Sequence, residues 1–275
     1  MRLWQTLRQF YRVVAATDID LISAGVAFYA MFSVFPAIAA LVAIFGLVAD
    51  PVVIRDQLEL LHDVIPLDAF ELIAAQVDGL LTAGSGTLGW ATTVSMAIAL
   101  WSSRAGVGAI IRGLNQNNGT PARHGVIHFV AVIVLTLSLI AVALVSLAMV
   151  VVAPIVVAFV PIAREWGGTI EVIRWGVALF VLLAALGILY RYGPNVPRVR
   201  RVSILSPGAV LAVVLWLGAS WGFSYYLTNF GNYNRIYGSL GAIMALLMWL
   251  YITSFLVLLG AAWNLAVQRL SDGAD

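Results

Sequence analysis

The chain is 275 residues long, 62% hydrophobic and only 10% charged, with a net charge of +2 and a mean hydropathy of +1.00. An average soluble domain is about 25% charged, so there is too little polar surface here to cover an apolar core, which excludes a water-soluble globule and a disordered chain. The apolar runs are long and do not alternate, so an outer-membrane barrel is excluded as well and the class left is all-α, a polytopic membrane protein whose segments close their own backbone hydrogen bonds.

Residues 1–17 come first. Leu3, Leu7, Phe10, Val13 and Val14 recur at helical spacing with Arg2, Arg8 and Arg12 between them. This predicts an amphipathic helix lying on the inner membrane surface. The segment is too polar for a signal h-region and the first apolar run is too long for one, so no cleavable signal is expected.

A hydrocarbon core of about 30 Å takes about 20 helical residues to cross. Six charge-poor runs meet that length: 21–49, 88–111, 126–163, 172–190, 202–228 and 236–267. The third is long for one span, and Pro154 and Pro161 suggest a kink or an emerging end within it. Between the first two runs, residues 50–86 carry seven acids and one arginine, with Leu58, Leu61, Phe70, Ile73, Val77 and Leu80 at helical intervals. This predicts two short helices, split at Pro66, that cap the outer face. All of 1–275 reads as one membrane domain: six transmembrane helices plus an amphipathic N-terminal helix and outer-face helices.

The 15 basic residues are all arginine. With the N-terminus inside, ten fall on the cytoplasmic side (Arg2, Arg8, Arg12, Arg112, Arg123, Arg191, Arg198, Arg200, Arg201 and Arg269) and four outside (Arg55, Arg164, Arg174 and Arg235). Retained positive charge therefore predicts both termini in the cytoplasm. The small charge excess gives no basic face for nucleic acid.

Along the first span, Asp18 and Asp20 suit a helix start, where carboxylates meet free N–H groups. Tyr29, Ser33 and Pro36 follow, and Ser33 is placed to bond a carbonyl freed by the proline. In the second span Arg104 is the lone charge, flanked by Ser102 and Ser103. Two readings stand. The guanidinium either grips an anionic group such as a lipid phosphate, or snorkels to the interface or pairs with a buried acid. Ala105, Gly106, Ala109 and Gly113 give the same helix a face for close packing. Arg112 and Asn115 follow at the inner interface, as anchors or as further head-group contacts.

The loop from 191 to 201 holds the densest arginine cluster, which sets topology and attracts anionic head groups. Between the last two runs, Asn229, Asn232, Tyr233 and Tyr237 belong to a polar stretch that reads as an aromatic belt with a tight turn, or as a mouth offering donors and acceptors to a solute. With no cysteine, disulfides and thiolate chemistry are excluded. His124 and His128 have no acid near them in sequence, the Glu59–His62–Asp63 group is a weak metal suggestion, and no serine has a base partner. No catalysis, no metal and no cofactor are expected.

Several of these segments carry a resemblance. The run from Asp20 to Pro36, the stretch Trp101-Ser102-Ser103-Arg104 through Asn115, Arg191-Tyr192-Gly193-Pro194, Phe230-Gly231-Asn232-Tyr233 with Tyr237-Gly238-Ser239-Leu240-Gly241, and Leu259-Gly260-Ala261 with Asn264 resemble, in order, motifs of the YihY/BrkB family. The resemblance implies a six-span bacterial inner-membrane protein linked to the cell envelope, for which transport of lipid or a related molecule has been proposed. The ribonuclease label the family once carried finds no acid–histidine cluster or RNA-binding surface here. One departure matters: where the family's closing motif has acids, this chain has Ala262 and Ala266, so no carboxylate from there can answer Arg104.

The expected function is handling of an anionic or amphiphilic envelope molecule, by moving lipid between leaflets; the alternative is a structural scaffold for other envelope proteins. Expected partners are membrane lipids and their anionic head groups, with a second copy or an envelope protein as further candidates.

Overall fold

The computed structural model describes residues 2–46, 70, 71, 74, 75, 78, 85–159, 167–229 and 239–271. Among the described residues every regular element is helical. There are seven α-helices: α1 (Arg2–Ala15), α2 (Ile19–Gly46), α3 (Ser85–Asn118), α4 (Gly125–Phe159), α5 (Gly167–Tyr192), α6 (Pro207–Asn229) and α7 (Ser239–Ser271), with a 3-10 turn at Arg198–Arg200. The outer-face pair expected over 50–86 falls almost wholly outside the described residues, as does Pro161.

Within the described residues, each of the six apolar runs overlaps one of α2 to α7. The shortest of these has 23 residues, about 34 Å at helical rise and long enough for a hydrocarbon core. By apolar length within the described residues, three stretches qualify as membrane spans: Gly125–Val142, Pro207–Leu227 and Ile243–Ser271. A fourth is available if Trp4–Ala15 and Ile19–Ser33 count as one broken span.

Several boundaries differ from the sequence expectation for identifiable reasons. The fifth run starts its helix at Pro207 rather than at 202. Ser206 is the cap residue, its hydroxyl accepting the N–H of Ala209 at 3.3 Å, and proline suits the first helical position because it has no N–H to leave unpaired. The second run continues to Asn118, so Arg112 and Asn115 stand within α3. Asp20 lies in the first turn of α2 rather than ahead of it, and Asp18 accepts from the Gln116 amide at 3.1 Å. Helices α2 and α4 pass through Pro36 and Pro154 without interruption.

The chain forms two compact units. The first gathers Met1–Ile19, Ile110–Leu215 and Leu256–Asp275. In it α4 packs on α5, and α6 and α7 meet backbone to backbone: a Cβ added at Gly208 strikes the Gly260 carbonyl, and one added at Gly260 falls 2.5 Å from the Gly208 carbonyl. Tyr190 of α5 closes the same junction, its hydroxyl donating to the Val257 carbonyl at 2.6 Å. Helix α1 docks on α7 through Phe10, whose ring meets that of Trp263 edge-on at 5.4 Å. The apolar stripe expected on α1 is divided. Gln9 and Val13 are buried, while Leu7 is exposed with Trp4, Tyr11, Arg8 and Arg12. A face of tryptophan, tyrosine and arginine suits a head-group layer.

The second unit comprises Asp20–Ala109 and Trp216–Phe255. Here Gly106 of α3 approaches α2, and a Cβ added there lies 3.8 Å from the Tyr29 Cβ. Trp216 and Trp249 hold α6 to α7, with ring centres 5.5 Å apart, and the Trp216 indole donates to Thr253 at 3.2 Å.

Candidate functional site

In the second unit, Arg104 is half-buried and its guanidinium carbon sits 4.5 Å above the ring of Trp101, one helical turn earlier. Trp101 is 66% exposed, so the stacked pair lies at the surface of the unit. Cation–π attraction of this kind helps hold the guanidinium in place. Ser102 and Ser103 are half-buried beside the pair. Arg104 stands two positions before Gly106, about 200° around the helix, so its Cβ leaves α3 on a different face from the one that meets Tyr29. Tyr29 is itself exposed and its ring lies 5.9 Å from Phe28. Ser33 donates to the Ala30 carbonyl at 2.8 Å, and not to the Phe32 carbonyl that Pro36 would leave free.

In the first unit, α3 ends in a Schellman motif. The Gly119 N–H bonds the Gln116 carbonyl at 3.0 Å and the Thr120 N–H bonds the Asn115 carbonyl at 3.0 Å. Gly119 has φ 61, a conformation that a Cβ opposes. The reversal turns the Asn115 side chain toward the next loop. Its Oδ1 accepts the Asn195 N–H at 2.7 Å and the Thr120 hydroxyl at 3.3 Å, and Asn195 returns a bond from its amide to the Pro121 carbonyl at 3.1 Å. Asn117 reaches α7 and donates to the Leu258 carbonyl at 3.2 Å. Arg112 is exposed.

Arginines dominate what surrounds this junction. Arg123 donates to the carbonyls of Gly193 at 2.8 Å, Tyr192 at 3.2 Å and Pro194 at 2.9 Å, placing a cation at the negative end of α5. Burial, and then the charge of Arg201, lower its proton affinity below the usual arginine value. The Tyr192 ring carries two more guanidinium groups, Arg191 at 5.8 Å and Arg201 at 5.5 Å. Arg191 also donates to the Val202 carbonyl at 3.0 Å, and Gln268 of α7 holds the Arg200 carbonyl at 3.0 Å.

Asn264 completes the unit: its Oδ1 accepts the Gly208 N–H at 2.7 Å and its amide donates to Ser206 at 2.9 Å.

Of the candidate residues, Tyr29, Ser33, Ser102, Ser103 and Arg104 fall in one unit, and Arg112 and Asn115 in the other. Asn229 ends α6, while Asn232, Tyr233 and Tyr237 lie outside the described residues. Arg123 as a clamp and Ser206 as a cap went unrecognised in the sequence. The signals were there: Gly-Thr-Pro after α3 and Gly-Pro after α5 mark helix ends whose carbonyls need donors, and Ser-Pro is a helix-start signature. No group of three His, Asp or Glu side chains that could hold a metal occurs among the described residues.

A family profile described as virulence factor BrkB matches residues 10–275. The chain belongs to the BrkB family. Its relatives include YfkH of Bacillus subtilis strain 168, whose name calls it ribonuclease-like, 29% identical over 254 residues and covering 90% of this chain and 89% of YfkH. UPF0761 membrane proteins XAC0937 of Xanthomonas axonopodis and XOO3417 of Xanthomonas oryzae are each 40% identical over 97 residues. That match takes in 35% of this chain and 22% of each Xanthomonas protein. No solved structure matches. Family membership, the relatives' membrane-protein names and the apolar helices make this BrkB-family chain a multi-pass membrane protein.

Proposed function

We propose that this BrkB-family chain is a six-span inner-membrane protein with both termini in the cytoplasm, and that it handles an anionic amphiphile by moving lipid between leaflets, without catalysis of its own. The observation that carries the reading is Arg104, a cation held at the unit's surface against an exposed tryptophan in a helix stretch that bears no other charge from Leu88 to Ile111. An intramembrane charge is costly and tends to mark a substrate path. At the surface of a helix, a head group can reach it while the acyl tails stay in the hydrocarbon.

The six-span topology draws support from the first unit. It holds all ten arginines assigned to the inner side, along with Arg164 and Arg174. Hydrogen bonds and ring contacts there bring α1, the α3–α4 loop, the α5–α6 loop and the end of α7 to one place. Six crossings return the chain to that place after each pair of spans.

The test is scrambling of labelled lipid in proteoliposomes. Arg104→Ala is expected to slow it by about tenfold or more, the scale of a lost charge-assisted hydrogen bond. Equal rates for the two proteins, or none with either, overturn the transport reading, and metal-dependent RNA cleavage by the purified chain overturns the non-enzymatic one.

A further inference from the structure

Three guanidinium groups surround the last residue of α5. Arg123 grips the Tyr192 backbone carbonyl at 3.2 Å, and Arg191 and Arg201 stand over the Tyr192 ring at 5.8 and 5.5 Å. Arg198 and Arg200 follow on the adjoining 3-10 turn, exposed. Five like charges therefore meet within one loop junction. The acids among the described residues of this unit are Asp18, which takes the Gln116 amide, and Glu171, which lies 21 positions before Tyr192 in sequence, about 30 Å along α5. Neither answers the cluster.

The roles of the three differ. Arg123 spends its donors on three backbone carbonyls. Arg191 gives one to Val202. Arg201 is held by stacking, and its buried Nε has no hydrogen-bond partner among the described residues. A buried donor left without an acceptor is costly, and like charges in a partly desolvated loop repel. A ligand with two negative charges and several acceptor oxygens relieves both. The guanidinium fork matches tetrahedral phosphate oxygens, and the aromatic platform fixes its plane.

We propose that Arg201, with Arg191 beside it on the Tyr192 ring and Arg123 behind, forms a binding site for a doubly charged phosphate group of the phosphomonoester class. The site is separate from Arg104 and does not depend on the transport reading. Its phosphate comes from an inner-leaflet head group or from solution, and the two sources are separable.

The test uses the full chain. Inorganic phosphate is titrated calorimetrically into protein in phosphatidylcholine nanodiscs, and retained phosphatidic acid is counted by native mass spectrometry from mixed micelles. Arg201→Gln and Tyr192→Leu are each expected to weaken binding by about tenfold, the scale of one charge-assisted contact. Arg198→Gln, which removes the same charge from the exposed turn, is expected to change it by less than about twofold. Arg201→Lys keeps the charge, loses the fork and is expected to behave like Arg201→Gln, so the site stays testable if the glutamine variant fails to fold. Loss of phosphate binding in the Arg201 variants assigns a solution ligand, and loss of phosphatidic acid alone assigns a lipid; either supports the site. Equal effects of Arg198→Gln and Arg201→Gln, or saturable binding of neither probe, overturn it. A protein that binds here yet scrambles nothing keeps this inference and loses the transport reading.

Discussion

The side-chain oxygen of Asn264 accepts the backbone N–H of Gly208 at 2.7 Å, and both residues are buried. The bond ties the first turn of α6 to α7 by filling a donor that a helix start cannot satisfy within itself. Asn264→Leu strands that N–H and removes the amide that donates to Ser206, whose hydroxyl keeps the Ala209 N–H. The expected loss is about 1–3 kcal/mol, read by equilibrium unfolding in mixed micelles. Unchanged stability would mean that solvent reaches this junction.

Gly260→Ala tests the backbone contact beside it. The new methyl would lie 2.6 Å from the Tyr190 hydroxyl, 2.5 Å from the Gly208 carbonyl and 2.8 Å from the Ala212 Cβ. Overpacking of this kind costs about 1–3 kcal/mol. Gly176→Ala, where nothing lies within 4 Å, is expected to be neutral or stabilising by up to about 1 kcal/mol through helix propensity. The comparison of the two in one unfolding series separates crowding from propensity.

Tyr190→Phe removes the hydroxyl that reaches Val257 at 2.6 Å and leaves the ring in place. The Val257 carbonyl lies inside α7 and keeps its place in the helical ladder, so the expected cost is the lower part of about 0.5–1.5 kcal/mol. A larger drop, measured under the same conditions, would show the hydroxyl positioning α5 rather than only bonding to it.

Gly119→Ala probes the turn after α3. At φ 61 an added Cβ costs about 1–2 kcal/mol, although the glycine has open space around it. The expected signature is lower stability with no change in the oligomeric profile, read by unfolding and size exclusion.

Much of the fold was legible because long apolar runs have few physical solutions. The six runs mark α2 to α7, and charge-poor length alone places them. Ends were less legible. The run ending at 111 hid seven further residues of α3 because Arg112 and Asn115 read as interface anchors, whereas Asn115 is buried and bonds to the loop after α5, and the neighbouring Asn117 is buried and bonds to α7. On α1, periodicity could not say which half of the apolar stripe meets protein; Trp263, more than two hundred positions later, decides that. Arg104 stood out as a lone charge, but its stacking on Trp101 and the separate face used by Tyr29 are three-dimensional facts. Arg123 was countable as a charge and invisible as a clamp, because its three acceptors lie some seventy residues downstream.

The unit that holds the arginine loop is stitched from the beginning, the middle and the end of the polypeptide. Its core cannot close as the ribosome works. Helix α1 waits for Trp263, Tyr190 waits for Val257, and the start of α6 waits for Asn264. A premature stop before Leu256 therefore truncates α7 and removes a partner from three earlier helices at once, and the membrane quality-control proteases of the cell would meet a chain whose earlier helices are all present and whose keystone is not.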